Sequence, residues 1–320
     1  MRKPAALLLL ALAGAGCRQV SDRPATRGPE VERLRATMET VRPLYPLMGP
    51  VMFGDWLSFY PEKGQTFAQY LASSPNVPDR KRRILYVRPL GEFTPAQTRI
   101  VELTAEYLEQ FYGLPARVAP SLPVTGIPAG SHRFNKTTGT EQIQTGYLLD
   151  LLKDYLPDDA FAEIGLIATD LYPDEKMNFV FGQATLRDRV GVWSLHWLGE
   201  PDKGRKDFDE TLVWTLKIAS HETGHMFSIP HCAKYQCVMD GSNSLYEVDR
   251  HPLDTCPECM AKICWATRSD PRRRFERLAA FFARQGLPAA RLSFERPLKA
   301  LDGSAPGSNA KPASRTAGQV

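Results

Sequence analysis

Seventeen residues, "HETGHMFSIPHCAKYQC" at 221–237, hold three of the chain's six histidines and two of its six cysteines. His221 and His225 stand four apart. On a helix that spacing puts both imidazoles on one face, a turn apart, where they can grip one small cation. Glu222 lies beside them. In this order, H-E-x-x-H, the histidines are zinc ligands and the glutamate is the general base for a water on the metal. Such a short pattern also arises by chance, and a buried histidine is more often a hydrogen-bonded core residue than a ligand. His231, six residues after His225, adds a third nitrogen once the chain turns back. Three protein ligands leave the fourth position of a tetrahedral zinc open to water.

The longer pattern H-E-x-x-H-x-x-G-x-x-H is that of the metzincin peptidases, which place a methionine turn beneath the metal; Met239 is the candidate here. One position departs. Ser228 stands where the pattern has glycine to end the helix at positive φ, a conformation that costs a serine on the order of 1 kcal/mol.

The cysteines form a second constellation. Cys232 and Cys237 make C-x4-C directly after His231, and Cys256 and Cys259 make C-x-x-C in "CPEC", four thiolates for a closed, structural zinc. A disulfide set is the competing assignment in an oxidising compartment, but the tight spacing beside three histidines favours metal. Cys264, five residues on, is a spare buried thiol that competes as a ligand.

With both constellations in view, the sequence resembles the archaemetzincins, a family of metzincin-like zinc metallopeptidases. The resemblance rests on "HETGHMFSIPHCAKYQCVM" and "CPEC", extends upstream through "IATDLYPDEKMNFVFGQA" and "RVGVWSLHWL", and covers roughly residues 83 to 266. "MDGSNS" after Cys237 is similar to the family's methionine turn. The resemblance implies a catalytic zinc on His221, His225 and His231, Glu222 as base, and a structural zinc on Cys232, Cys237, Cys256 and Cys259. That makes two Zn2+ per chain. It further implies an α/β (α+β) fold: a metzincin-like zincin domain with a mixed, mainly parallel twisted sheet, an active-site helix and a C-terminal four-cysteine zinc subsite.

The elements that must position these residues are partly legible. From Leu212 on, apolar residues recur at spacings of three and four on both sides of a helix, so the helix carrying His221 and His225 is expected to be buried. Before it, "RILYVRPLG" is a strand, "PAQTRIVELTAEYLEQFYG" a helix closed by Gly113, "EQIQTGYLLDLLKDYL" a second helix, and "AEIGLIATDLY" one continuous apolar strand. That alternation implies a parallel sheet. "MNFVFGQAT" and "RVGVWSLHWL" form a strand pair with one member at the sheet edge, the rim on which an extended peptide can pair. Trp193, His196 and Trp197 sit close enough in sequence to line a pocket there, although core packing is the plainer role. His132 and His251 belong to no motif.

Composition bounds the rest. With 320 residues, 43% hydrophobic and 24% charged, the chain has the make-up of a soluble globular protein. Forty basic residues against 36 acidic give a net charge of +4, too small and too scattered to indicate a nucleic-acid partner. The dense "DPRRRFER" at 270–277 is expected to be a solvated helix face. Arg2 and Lys3 before the apolar run 5–16 have the layout of a secretory signal peptide. Cys17 follows small residues as in a bacterial lipoprotein site, which would lipidate it and anchor the chain to a membrane; Gly14 stands where such sites usually have leucine, and ordinary cleavage with Cys17 incidental is the alternative. The expected address is export to the bacterial cell envelope. The expected divisions are a signal at 1–17, a tether at 18–29, a packed N-terminal extension at 30–82, the metallopeptidase domain at 83–285 and a mostly disordered tail at 286–320. The expected partner is a peptide or protein substrate, hydrolysed by a water that Glu222 deprotonates on zinc. Two other classes fit the same residues: a catalytically silent, zinc-stabilised envelope binding protein, and a zinc hydrolase of a non-peptide amide or ester.

Overall fold

The computed structural model describes residues 23–303. In chain order these form α1 (Pro29–Val41), α2 (Trp56–Phe59), α3 (Phe67–Ala72), β1 (Ile84–Leu90), α4 (Pro95–Tyr112), β2 (Ala116–Val118), β3 (His132–Asn135), β4 (Thr140–Gln144) and α5 (Thr145–Asp154). Then come β5 (Ala160–Ile167), β6 (Asp170–Tyr172), β7 (Gly182–Ala184), β8 (Val190–Ser194), α6 (Arg205–Met226), α7 (Leu245–Arg250), α8 (Pro257–Thr267), α9 (Pro271–Gln285) and α10 (Pro288–Gly303).

The main sheet has the order β2-β1-β5-β8-β7. Its first four strands are parallel, and β7 closes the edge antiparallel to β8. Every residue of β5 is buried, which is why this strand is a continuous apolar run rather than an alternating one. Its one charge, Glu163, pairs with Arg88 of β1. Helix α4 starts on a reciprocal capping box between Thr94 and Gln97, with Pro95 in its first turn, and ends at Gly113 with φ 67°.

Two expected elements divide differently. "EQIQ" is not the start of the second helix. It is β4, which forms a hairpin with β3 across the turn at Gly139 (φ 72°) and pairs with β6 in a separate three-stranded sheet. Gln142 explains the preference: fully buried, it donates to Asp170 Oδ2 at 2.7 Å and to the Asn178 carbonyl at 2.7 Å, bonds a helix would not provide. The strand "AEIGLIATDLY" correspondingly breaks after Ile167, and Asp170–Tyr172 moves to the second sheet.

The C-terminal expectations need two corrections. Residues 288–303 are helical, not an irregular tail, because Phe294 is buried and stacks on Phe282 of α9 at 5.4 Å. "DPRRRFER" is only partly a solvated face: Arg274 is 1% exposed and its Nη1 donates to Asp254 at 2.8 Å. Asp254 also accepts from Tyr45 Oη at 2.8 Å, so this buried pair ties α9 and the N-terminal segment to the loop that carries the cysteines. Residues 30–82 pack closely: α1 lies on α8 and α10, α3 on α8, and Leu47 bridges to Tyr235 inside the Cys232–Cys237 loop. Among the described residues, no helix is long and apolar enough to cross a membrane. Residues 1–17 and Cys17 lie outside the described range.

Candidate metal and active site

Several buried hydroxyls of helix α6 are satisfied locally: Thr215 and Ser220 donate to carbonyls four residues back, at 2.7 and 2.8 Å, and Thr211 donates to Leu198, whereas the buried Thr223 hydroxyl has no partner among the described residues. The helix ends as the metzincin pattern requires. Ser228 takes φ 62°, its N–H reaching the His225 carbonyl at 2.7 Å and the Ile229 N–H reaching back to Gly224 at 3.2 Å. This turn sends the chain back toward the helix and brings His231 to the other two histidines.

The three imidazoles converge, with ring centroids 4.6, 5.2 and 5.0 Å apart. One nitrogen from each lies within 4.8 Å of the others. Their outer nitrogens are all engaged by acceptors. His221 Nδ1 meets the Val238 carbonyl and His225 Nδ1 the Ile229 carbonyl, each at 2.8 Å, and His231 Nδ1 meets the Glu62 carboxylate at 2.9 Å. Carbonyl oxygens only accept, so in the neutral rings the proton sits on Nδ1 and Nε2 keeps a bare lone pair. Burial and the neighbouring imidazoles hold His221 well below the ordinary histidine range, and burial brings His225 down to about 4. Yet the Nε2 atoms of His221 and His225 are 3.0 Å apart. Two lone pairs facing each other at that distance call for a cation between them, and the donor set fits zinc.

Glu222 is 7% exposed and has no charged partner, so burial pushes its carboxyl up to about 8. Edge strand β7 passes close by: a Cβ at Gly182 would stand 2.9 Å from Glu222 Oε1. Beneath the helix, a Cβ at Gly224 would stand 2.4 Å from Met239 Sδ, so the glycine inside H-E-x-x-H admits the methionine turn. The histidines and Glu222 open on a cleft of about 310 Å³, with Gly182 on one wall and Ile218, Val248 and Trp56 on others. Lys217, a turn before His221, holds α7 in place by donating to the Val248 and Asp249 carbonyls at 3.0 and 3.1 Å.

The four cysteines also come together. Cys232, Cys237, Cys256 and Cys259 are buried, with sulfurs within 4.8 Å of one another and none in a disulfide. Hydrogen bonds from the Cys237 and other thiols hold Cys232 far below the usual thiol range, while burial pushes Cys237 and Cys256 up. Backbone N–H groups of Met239 and Cys256 point at Cys237 Sγ, at 3.4 and 3.2 Å. Without a cation this pocket tolerates little negative charge; with one, the N–H groups are placed to stabilise thiolates. Cys264 is fully buried outside the cluster, its thiol pushed up to about 11 by burial.

Trp193 is a core residue, and Trp197 donates to Asp170 at 2.8 Å; neither lines the cleft, and nor does His196. His132 is exposed on β3. His251 does line the cleft, with Nδ1 3.1 Å from Ser242 Oγ, and burial lowers it to about 4. No spacing motif marks it. Trp56, Glu62 and Asn76 also reach the site from the N-terminal extension, at sequence distances no local pattern covers.

The sequence profile of Peptidase family M54 matches residues 108–264. Archaemetzincin-2 of Homo sapiens is 34% identical over 266 residues, spanning 72% of this chain and 73% of its own length. The chain belongs to the archaemetzincin family. A shorter member, the archaemetzincin of Thermococcus kodakarensis, is 32% identical over 186 residues, covering 57% of this chain and 95% of its own. Among solved structures, that of an archaemetzincin from Methanopyrus kandleri is 29% identical, with a TM-score of 0.48, covering 60% of this chain and 98% of that one. As a member of the family, the chain is a zinc metallopeptidase.

Proposed function

We propose that this chain hydrolyses peptide bonds at the cleft over α6, with one zinc held by His221, His225 and His231 and Glu222 as the proton carrier. A second zinc, held by Cys232, Cys237, Cys256 and Cys259, secures the loop behind the site. The observation that carries this reading is the commitment of all three Nδ1 atoms to acceptors, which leaves three Nε2 atoms converging beside a buried carboxylate. Zinc held there by His221, His225 and His231 would supply a Lewis acid to polarise the scissile carbonyl and to lower the pKa of a water. Glu222 then takes the proton of the attacking water and returns it to the leaving amine. Burial raises the Glu222 carboxyl and a cation held by the histidines would lower it again, opposing pulls that suit a group which first accepts a proton and then returns it. The substrate backbone lies extended along β7, whose outer side is the free edge of the sheet. The same proposal carries the mature chain to the cell envelope, on the signal-like sequence of residues 1–17.

Glu222→Gln tests the assignment of the base. The amide keeps the shape and cannot accept the proton, so digestion of a peptide library should fall by about 10²–10⁴-fold while zinc content and thermal melting stay at the wild-type level. Equal rates for wild type and Glu222→Gln on every peptide cleaved would remove Glu222 from the reaction.

A further inference from the structure

Glu62 belongs to no motif. It sits between α2 and α3, 169 residues from His231, yet both its carboxylate oxygens face the Nδ1 of that histidine, at 3.0 and 2.9 Å. The carboxylate is itself held, because Trp56 Nε1 donates to its Oε1 at 3.0 Å. Trp56 is fixed in turn. Its backbone N–H donates to the buried Glu247 carboxylate at 3.0 and 3.1 Å, its ring stands edge-on to His231 at 5.1 Å, and it packs on Gly241, where a Cβ would come within 2.4 Å of the ring.

The three histidines are not oriented alike. His221 and His225 grow from α6 and hand their Nδ1 protons to backbone carbonyls that the methionine turn and the helix end supply. His231 lies beyond the helix, in a loop, and its Nδ1 has a side chain from the distant N-terminal segment instead. A carboxylate accepts only, so it places the ring proton on Nδ1 and turns Nε2 toward the other two imidazoles.

We propose that Glu62 is the positioning residue of His231: its carboxylate sets the tautomer and ring orientation of the third ligand, so that the N-terminal segment completes the histidine metal site. This rests on the reading that the three histidines hold zinc. Outer-shell partners of this kind typically change metal affinity by about 10–100-fold when removed.

The test uses the full chain with zinc alone as ligand. Glu62→Ala should weaken zinc at the histidine site by about 10–100-fold, read by competition with a chelator of known affinity, and Glu62→Gln by less, since its amide oxygen still accepts. Zinc at the four cysteines should not move, nor should the melting temperature of protein stripped at the histidine site. In protein stripped at the histidine site, ¹⁵N shifts should show His231 protonated on Nδ1 in the wild type and as a mixture of tautomers in Glu62→Ala. Wild-type zinc affinity in a folded Glu62→Ala variant overturns the proposal. Should that variant lose the cysteine zinc and unfold, the wild-type spectrum decides instead: Nε2–H on His231 overturns it. A wild type that binds no zinc through its histidines would sink the underlying site assignment, which is a separate failure.

Discussion

Ser228 shows how one residue can break a pattern without breaking the turn. By itself, positive φ costs a serine on the order of 1 kcal/mol relative to glycine. Here the hydroxyl donates to the Leu186 carbonyl at 2.9 Å and accepts the Asn76 N–H at 3.1 Å, while the Asn76 side chain donates to the Met226 carbonyl at 3.2 Å. Two such bonds at about 1 kcal/mol each offset the strain. Ser228→Gly therefore exchanges strain for lost bonds and should leave stability within about 1 kcal/mol of wild type, on the destabilising side. Ser228→Ala keeps the strain and loses the bonds, so it should cost about 2 kcal/mol. Thermal melting of the two variants separates these effects, and a Ser228→Gly protein more stable than wild type would show that the hydroxyl contributes nothing.

At the scale of elements, the parallel sheet carries its own charge in β5. Glu163 is buried against Arg88, and burial outweighs the guanidinium, pushing its carboxyl up to about 7. In the unfolded chain it titrates near the ordinary glutamate value of about 4.3. Between those values the folded protein holds a proton that the unfolded chain has released, so this residue's contribution is full below about 4.3 and is lost as pH rises through about 7. Glu163→Gln should flatten the stability-versus-pH curve across that window, a difference of up to about 3 kcal/mol. Denaturant midpoints at pH 4.5 and 7.5 measure it, and an equal slope in both proteins would assign the pH dependence elsewhere. The elements themselves were legible where one physical signal dominated. The capped α4, the two-sided α6 and the apolar β5 stood out; β4 did not, because a short polar strand earns its place from partners, Asp170 and Asn178, that lie far along the chain.

For the molecule as a whole, legibility follows sequence distance. The histidines, Glu222 and the cysteines fall within 39 residues and announce themselves by spacing, whereas Glu62 and Trp56 act on His231, and Asn76 on the Ser228 turn before it, from more than 150 residues upstream. The two metal groups also differ in access, which yields a prediction. The histidines face the cleft, while the cysteines are buried under the Cys232–Cys237 loop, α8 and the N-terminal segment. A chelator should therefore remove one zinc per chain together with all peptidase activity while the fold persists, the melting temperature falling only by the stabilisation that this one bound ion supplies. The second zinc should leave only with unfolding, because its binding free energy is part of the folding free energy. Zinc analysis beside circular dichroism along a chelator titration reads both steps. A single zinc per chain, or disulfides mapped among Cys232, Cys237, Cys256 and Cys259, would remove the second site and leave the loop behind the histidines to be held by its hydrogen bonds and the Asp254–Arg274 pair alone.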